Sequence, residues 1–273
     1  MTESSVSVFT ADDRGGNPCT VVDAPRSGEE MIALARRRGH ECCLAIRDVG
    51  RSYALRFFAP GGEMEMCAHA SAAVAWLLCP ADGSVISFHS RGGMIRGFRS
   101  GPADVSISQP PGHVQPCSPE PALIALGLAR KDLASVADIV NAASTRVKTL
   151  VPIAKTARLQ ALHPDPEDVQ VACDVLGSTG LYPWAATGVG EVEARQFPRS
   201  AGYLEDPATG VAAAALFFAL GAPAGGLAVT QGRAMGRLSR ISVSRDPFGP
   251  GCLLSGRVRT LRPSEQTGMA VRS

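Results

Sequence analysis

The stretch FFAPGGEMEMCAHASAAVA, residues 57–75, joins a strand-like segment to a run of small apolar residues. The proline and the two glycines end the strand, and the alanine-rich run is typical of a buried helix. A thiol, Cys67, and an imidazole, His69, lie where one gives way to the other. These two side chains could be metal ligands, a nucleophile with its base, an acid/base pair or ordinary packing residues. The choice among these roles depends on the other residues of the chain.

A second stretch of the chain has the same order of parts. Residues 195–218, RQFPRSAGYLEDPATGVAAAALFF, place phenylalanine and proline before a polar cluster and another helix of small residues. This repetition predicts two like domains, residues 1–112 and residues 113–273, with about the last ten residues also assignable to the first. Each domain would present a helix N-terminus, and two such ends facing across a cleft form an anion site.

The composition describes a globular chain with an ample core: 273 residues, of which 45% are hydrophobic and 19% are charged. The formal net charge is +2, and the basic residues form no tract with interleaved aromatics, so we expect no binding to nucleic acid. No apolar run approaches the length of a membrane span, and the polar N-terminus is unlike a signal peptide. We therefore expect a cytoplasmic protein that does not bind membranes.

The chain carries no sequence pattern for a metal or a cofactor. Its eight cysteines are widely spread without a C-x-x-C pair, and its five histidines form no ligand-spaced set, which argues against both zinc and a disulfide framework. The motifs G-x-x-x-x-G-K-[ST], H-E-x-x-H and G-x-S-x-G are absent as well. This elimination favours chemistry that uses neither a metal nor a cofactor.

Glu41 is the candidate general acid/base. A capping box of Ser27 and Glu30 predicts a helix that stops at Gly39, and Glu41 follows among small or apolar neighbours. Partial burial there would raise the pKa of the carboxyl toward neutrality, and such a group contributes on the order of 10²–10⁴ in rate. The alternative is a solvent-exposed loop glutamate, which the residues alone favour.

Cys67 and His69 have a functional and a structural interpretation. A cysteine near a helix N-terminus has a lowered pKa, and a spacing of two on an extended segment puts both side chains on the same side. The alternatives are core packing for the thiol and a backbone-bonded helix start for the imidazole. The residues alone favour packing for Cys67 and leave His69 open.

In the second stretch, Asp206 fits a helix N-cap with Pro207 at the first helical position. Because it lies opposite the first stretch in the arrangement of two halves, the same residue could cap the helix and bind substrate. Thr209 and Gly210 would then offer backbone N–H groups to an anion. Asn17, in the sequence GGNP, is either a turn residue or a donor into the cleft.

Taken together, these motifs resemble the phenazine biosynthesis isomerase (PhzF-like) family, which has the diaminopimelate epimerase-like fold. The sequence FTADDRGGNPCTVV resembles the opening strand, turn and strand of that family, and HECC resembles its Ser-Glu-Thr segment. Residues 57–75 and residues 205–216 resemble its two helix-start motifs. The correspondence runs in order over almost the whole chain.

The resemblance implies an α+β fold of two pseudo-symmetric domains, each a curved, mostly antiparallel sheet wrapped around a central helix, and a homodimer. It implies a 1,3-type proton shift, with double-bond migration, on a small unsaturated carboxylic or amino acid in natural-product biosynthesis. Glu41 would move the proton without a cofactor, while His69 and Asp206 hold or relay protons.

The resemblance also assigns a set of residues to substrate binding: Asn17, Cys67, Ala68, Ala70, Thr209, Gly210 and Val211. Two of them depart from the family pattern, because Ala68 replaces a glycine and Val211 replaces a serine. These two changes make the pocket less polar, and a less polar pocket suits a smaller or more alkylated substrate.

Two other functions stay open. A two-base epimerase or racemase would use Cys67 as one base, although the second stretch offers Asp206 where a matching thiol would stand. A catalytically silent protein that only binds a small acid is permitted by the changes at Ala68 and Val211. Solvent deuterium uptake at carbon separates these functions, because a binder shows none and a racemase exchanges its α-carbon with loss of optical rotation.

Overall fold

The computed structural model describes residues 3–50 and 52–265. In these residues the strands are β1 (Glu3–Thr10), β2 (Asn17–Val22), β3 (Glu41–Arg47), β4 (Ser52–Ala59), β5 (Gly62–Met64), β6 (Ile86–Ser90), β7 (Gly93–Arg99), β8 (Asp104–Gln109), β9 (His113–Pro116), β10 (Val140–Ala143), β11 (Lys148–Pro152), β12 (Gly180–Gly188), β13 (Glu191–Ala194), β14 (Phe197–Pro198), β15 (Leu227–Gln231), β16 (Ser239–Arg245) and β17 (Cys252–Thr260). The helices are α1 (Gly28–Arg38), α2 (Ala68–Leu78), α3 (Glu120–Ala125), α4 (Thr156–Gln160), α5 (Pro166–Leu176) and α6 (Gly210–Ala219), with short 3₁₀ turns at Arg130–Asp132 and Pro263–Glu265.

Helix α1 begins and ends where the sequence predicts. The backbone N–H of Glu30 donates to Ser27 Oγ at 3.2 Å, and the N–H of Ser27 donates to the Glu30 carboxylate at 2.7 Å. Gly39 follows the helix with φ of 68°, the left-handed conformation in which glycine is favoured. This stop sets the distance between the helix and Glu41, the first residue of β3.

The strands of the first half close on themselves around α2. Strands β1, β2, β3, β4, β6, β7, β8 and β17 pair in that order, and β17 pairs back with β1. Helix α2 contacts β1, β2, β3, β7, β8 and β17, and it is buried from Ala68 to Ala75. Its alanines fit the narrow interior, since a Cβ added at Gly97 of β7 would lie 2.8 Å from the Cβ of Ala75.

The second half repeats the pairing pattern of the first. From β1 to β8 the successive pairings are antiparallel, parallel, antiparallel, parallel, antiparallel and antiparallel. From β10 to β17 the successive pairings follow the same order of senses. Helix α6 takes the place of α2, with contacts to β9, β10, β11, β16 and β17 and with every residue from Gly210 to Phe217 buried.

The predicted α+β class and the epimerase-like architecture are confirmed. The domain boundary at residue 112 stays a prediction, and residues 266–273, within the segment also assignable to the first domain, lie outside the described residues. Strand β17 pairs with β8 and β1 as well as with β16, so the last strand of the second half completes the sheet of the first. No helix of the described residues has both the length and the apolar character that crossing a membrane requires.

Candidate active site

The N-termini of α2 and α6 meet at one cavity between the two halves. Its volume is about 530 Å³, and residues of both helix starts line it. The helices touch there, because a Cβ added at Gly210 would lie 2.8 Å from the Cβ of Ala68. Neither N-cap residue, Cys67 or Thr209, makes a side-chain cap. Among the described residues, no side-chain oxygen caps either first turn, and a helix N-terminus of this kind is where anions bind.

Glu41 lies in the cavity wall and is only 3% exposed. The Tyr203 hydroxyl donates a hydrogen bond to Glu41 Oε1, and His69 Nε2 lies 3.6 Å from Oε2. Burial raises the pKa of the Glu41 carboxyl, while the hydrogen bond from Tyr203 and the charge of Arg146 act in the opposite direction. The alternative of a solvent-exposed loop glutamate is therefore wrong.

The imidazole of His69 is held between Glu41 and Asn17. The Asn17 Nδ2 atom lies 2.6 Å from Asp206 Oδ1 and 3.0 Å from the Ala208 carbonyl oxygen, two acceptors that fix the orientation of the amide. The same Nδ2 lies 3.3 Å from His69 Nδ1, and His69 Nε2 is the ring atom that faces Glu41. Burial lowers the pKa of His69 to about 4, so the ring is neutral at pH 7.

Asp206 is 7% exposed and lines the cavity. Its Oδ2 accepts from Thr209 Oγ1 at 2.7 Å, and its Oδ1 accepts from Asn17 and from the N–H of Ala208 at 3.2 Å. Burial, together with the charge of Glu41, raises the pKa of Asp206 to about 6. Two buried carboxyls with raised pKa thus face one neutral imidazole.

The prediction that Asp206 is the N-cap of α6 is wrong. The helix begins at Gly210 with Thr209 at the N-cap, and the Asp206 carboxylate is engaged within the turn that precedes it. This register makes Thr209 the counterpart of Cys67, since both stand at the N-cap of the central helix of their half. The place of a second thiol is therefore held by a hydroxyl.

The Cys67 thiol is not activated by its position at the start of α2. Burial raises its pKa well above the ordinary value, and the negative charge of Glu41 adds to that shift, while a hydrogen bond with the Ala70 backbone opposes it. Its sulfur lies 3.3 Å from His69 Nδ1. The expectation of a lowered thiol pKa is wrong, because desolvation outweighs the helix end.

Of the residues predicted to bind substrate, five line the cavity: Cys67, Ala68, Thr209, Gly210 and Val211. Asn17 and Ala70 lie outside its lining, and their binding of substrate stays a prediction. Asn17 lies behind the wall, where it contacts Asp206 and His69, and Ala70 is fully buried. Asn17 therefore lies where it can orient the side chains of Asp206 and His69.

Two residues at the site carry no motif of their own. Tyr203, which donates a hydrogen bond to Glu41, lies within the repeated stretch 195–218. That position is the one feature of the sequence that points to it. Gln231, at the end of β15, donates from Nε2 to the Asp206 carbonyl at 2.6 Å and accepts the N–H of Thr209 at 3.3 Å. It holds the turn before α6 from a strand more than twenty residues further along the chain, where no local signal exists.

Among residues 3–50 and 52–265, no three His, Cys, Asp or Glu side chains are placed to hold a metal ion.

Two sheet-and-helix halves related by pseudo-symmetry, with a cavity where their helix starts meet, define the diaminopimelate epimerase-like class of proteins. The chain belongs to the phenazine biosynthesis-like protein family (PhzC-PhzF), whose model matches residues 6–257. The resemblance found in the sequence is thereby confirmed.

Relatives and solved structures agree with this assignment. An uncharacterized isomerase of Deinococcus radiodurans is 28% identical over 275 residues, covering 90% of this chain and 87% of that protein. The structure of a predicted epimerase from Pseudomonas aeruginosa matches with a TM-score of 0.82 at 22% identity, covering 95% and 96% of the two chains. A PhzF family protein of Bacillus anthracis matches with a TM-score of 0.79 at 21% identity, covering 96% and 98%. The prediction of an isomerase is thus confirmed at the level of the family.

The fold extends to more distant proteins. A probable proline racemase from Agrobacterium radiobacter K84, solved with bound carbonate, matches with a TM-score of 0.63 at 11% identity and covers 98% of this chain and 96% of that one. At this identity the likeness concerns the fold alone.

Proposed function

We propose that this chain is a cofactor-independent isomerase that shifts a proton, with double-bond migration, on a small unsaturated carboxylic or amino acid. Glu41 is the general acid/base. The observation that carries the proposal is a buried carboxyl of raised pKa in the wall of the cavity, bonded by Tyr203 and facing the neutral ring of His69. A carboxyl whose pKa is moved toward neutrality can both take up and return a proton near pH 7.

The reaction needs one base and one anion site. With the substrate carboxylate at the N-termini of α2 and α6, the Glu41 carboxylate removes a proton from a carbon next to the conjugated system. The C–H electron pair moves into the conjugated system, the double bond migrates, and Glu41 returns the proton at the far carbon. His69 and Asp206 hold protons on substrate heteroatoms as charge develops there.

The asymmetry between the two halves supports a single base over two. Glu41 opens β3, whereas Gly180 opens the matching strand β12 and has no side chain. The space above Gly180 is filled by Gln196, whose Nε2 lies 2.0 Å from where a Cβ would be. The second half thus offers neither a carboxyl opposite Glu41 nor a thiol opposite Cys67, which weighs against the two-base racemase.

The experiment is solvent deuterium uptake, followed by NMR, for a panel of carboxylated dienes and enamines in D₂O. We expect deuterium at an alkene-derived carbon, and a loss of about 10²–10⁴ in rate for Glu41→Gln. Cys67→Ser is the matched control at the same cavity, and we expect only a modest loss. Near wild-type turnover by Glu41→Gln would refute the assignment, and a collapse of turnover in Cys67→Ser would favour a thiol base.

The same panel of compounds also tests the alternative that the protein only binds a small acid. It would show saturable binding without deuterium uptake for every compound. The homodimer and the role in natural-product biosynthesis are further proposals, and both rest on the family resemblance.

A further inference from the structure

One side of the cavity takes no part in the proton shift. It is formed by Thr145, Arg146, Lys148 and Gln196, here called the cationic wall, and all four residues line the same cavity as Glu41. The sequence analysis assigned none of them to the site, although Gln196 lies in the repeated stretch 195–218. The wall combines two basic side chains with polar side-chain atoms that have no hydrogen-bond partner among the described residues.

Lys148 is a buried lysine whose Nζ has one hydrogen-bond acceptor among the described residues. Its residue is 4% exposed, and its Nζ contacts the Thr179 carbonyl oxygen at 3.4 Å. No carboxylate of residues 3–50 and 52–265 lies within ion-pair distance of it. Burial, with the neighbouring charge of Arg146, lowers the pKa of Lys148 to about 7. Lysine is rarely buried unless it is paired, so an anion is the expected partner.

Arg146 lies in the bend between β10 and β11, two residues before Lys148, and both residues line the cavity. In the described part of the chain its guanidinium contacts only Met64 Sδ, at 3.7 Å. A thioether is a weak acceptor. The charge of Arg146 acts on Glu41, but Arg146 forms no ion pair with a carboxylate of the described residues. A guanidinium without an ion pair in a cavity wall is suited to a carboxylate or phosphate of a ligand.

The neutral members of the wall are also unpartnered. Thr145 Oγ1 and both amide atoms of Gln196 are buried without a hydrogen-bond partner among the described residues. The Gln196 amide lies against Gly180, next to the Thr179 carbonyl that Lys148 contacts, so these groups converge. These atoms have almost no accessible surface, so they lie behind the surface of the wall, and the ligand contacts are assigned to Lys148 and Arg146 alone.

The pseudo-symmetry of the fold gives Lys148 a defined place. It is the first residue of β11, as Asn17 is the first residue of the equivalent strand β2. Asn17 bonds the carboxylate of Asp206 from the first half. Lys148 occupies the corresponding strand start in the second half, where its cation faces the cavity.

We propose that the cationic wall binds a second anionic group of the substrate, so that the substrate is an unsaturated dicarboxylic acid. One carboxylate lies at the N-termini of α2 and α6, and the other lies between Lys148 and Arg146. The inference rests on the proposed function for the first carboxylate, whereas the residues of the wall stand independently of it.

The test compares two probes that differ by one carboxylate: trans,trans-muconate, a six-carbon diene dicarboxylate, and sorbate, its monocarboxylate counterpart. Binding is measured by titration calorimetry and ligand-observed NMR. We expect the wild-type protein to bind muconate at least about tenfold more tightly than sorbate, and Lys148→Met to reduce this ratio to below about threefold. Lys155→Met, at an exposed lysine outside the cavity, should leave the ratio unchanged.

Two results would overturn the inference. Equal wild-type affinities for muconate and sorbate would show that there is no second anion site. An equal loss of affinity for both probes in Lys148→Met would show that the wall binds the single carboxylate that they share. Arg146→Gln provides a second variant in case Lys148→Met does not fold, and it too should lower the ratio. Because Glu41→Gln should keep the muconate preference while losing deuterium uptake, failure of the proton shift and failure of the wall give different results.

Discussion

Gly210→Ala tests the contact between the two helix starts on which the cavity is built. The new Cβ would lie 2.8 Å from the Cβ of Ala68 and 3.0 Å from Leu254 Cδ1. Packed carbon atoms prefer about 3.5–4.0 Å, so relief requires a shift of roughly 1 Å. The Leu254 methyl is the far end of a flexible side chain and can rotate, but the Cβ of Ala68 is fixed to the backbone of α2.

The cost follows from two opposing effects. Overpacking in a close-packed core costs about 1–3 kcal/mol, while alanine in place of glycine in a helix returns at most about 1 kcal/mol. We expect Gly210→Ala to lower the free energy of unfolding by about 1–2 kcal/mol. For a protein of this size, that corresponds to a fall of roughly 2–8 °C in the midpoint of thermal unfolding.

The assay is urea and thermal unfolding of a double-mutant cycle. Ala68→Gly combined with Gly210→Ala moves one methyl group from α2 to α6, and we expect it to recover most of the loss. Gly225→Ala is the matched control, because no atom lies within 4 Å of its added Cβ. The reasoning fails if Gly210→Ala is as stable as the wild-type protein, or if the double variant is no more stable than Gly210→Ala alone.

Three further predictions follow from buried polar groups. Tyr203→Phe removes a hydrogen bond that lowers the pKa of Glu41, so the acidic limb of the kcat/KM profile should move to higher pH; an unmoved limb would contradict this role. Burial lowers the pKa of His40 to about 3 in the folded state, whereas the unfolded state keeps the ordinary value of about 6.5. The unfolded state therefore binds more protons between these two values, and the free energy of unfolding decreases as the pH falls from about 6.5 toward about 3. His40→Gln should therefore reduce the slope of unfolding free energy against pH between about pH 6 and 4 by up to about 1.4 kcal/mol per pH unit, measured by urea unfolding, and an unchanged slope would refute it. Arg195, 3% exposed, pairs with Glu205 at 2.7 Å and binds three carbonyl oxygens, so Arg195→Met should cost about 3–5 kcal/mol in urea unfolding, and a loss below about 1 kcal/mol would contradict this.

The parts of the fold that local chemistry determines could be predicted from the sequence. The capping box of α1 and the repeated order of strand, proline and small-residue helix are local patterns, and they led to the two halves and to the residues around the cavity. Glu41 needed the family resemblance, because its burial depends on Tyr203, which lies 162 residues away.

The errors have one physical cause, namely partners distant in sequence. Asp206 has the local pattern of an N-cap, but Asn17, 189 residues earlier, binds its carboxylate and holds it within the turn. Cys67 stands at a helix N-terminus, yet the closed ring of strands around α2 desolvates it and reverses the expected pKa shift. Lys148 is an isolated lysine at a strand start, and only the cavity around it distinguishes it from a surface residue.

The pairing of β17 with β8 and β1 has a consequence for how the chain is made. During synthesis the first half leaves the ribosome with two strand edges exposed, because the strand that joins them lies at residues 252–260. At about 5–20 residues per second, the wait between residue 112 and residue 260 is roughly 7–30 s. Open edges of this kind invite pairing with other chains, so this interval is when the protein is most prone to aggregate and to depend on chaperones.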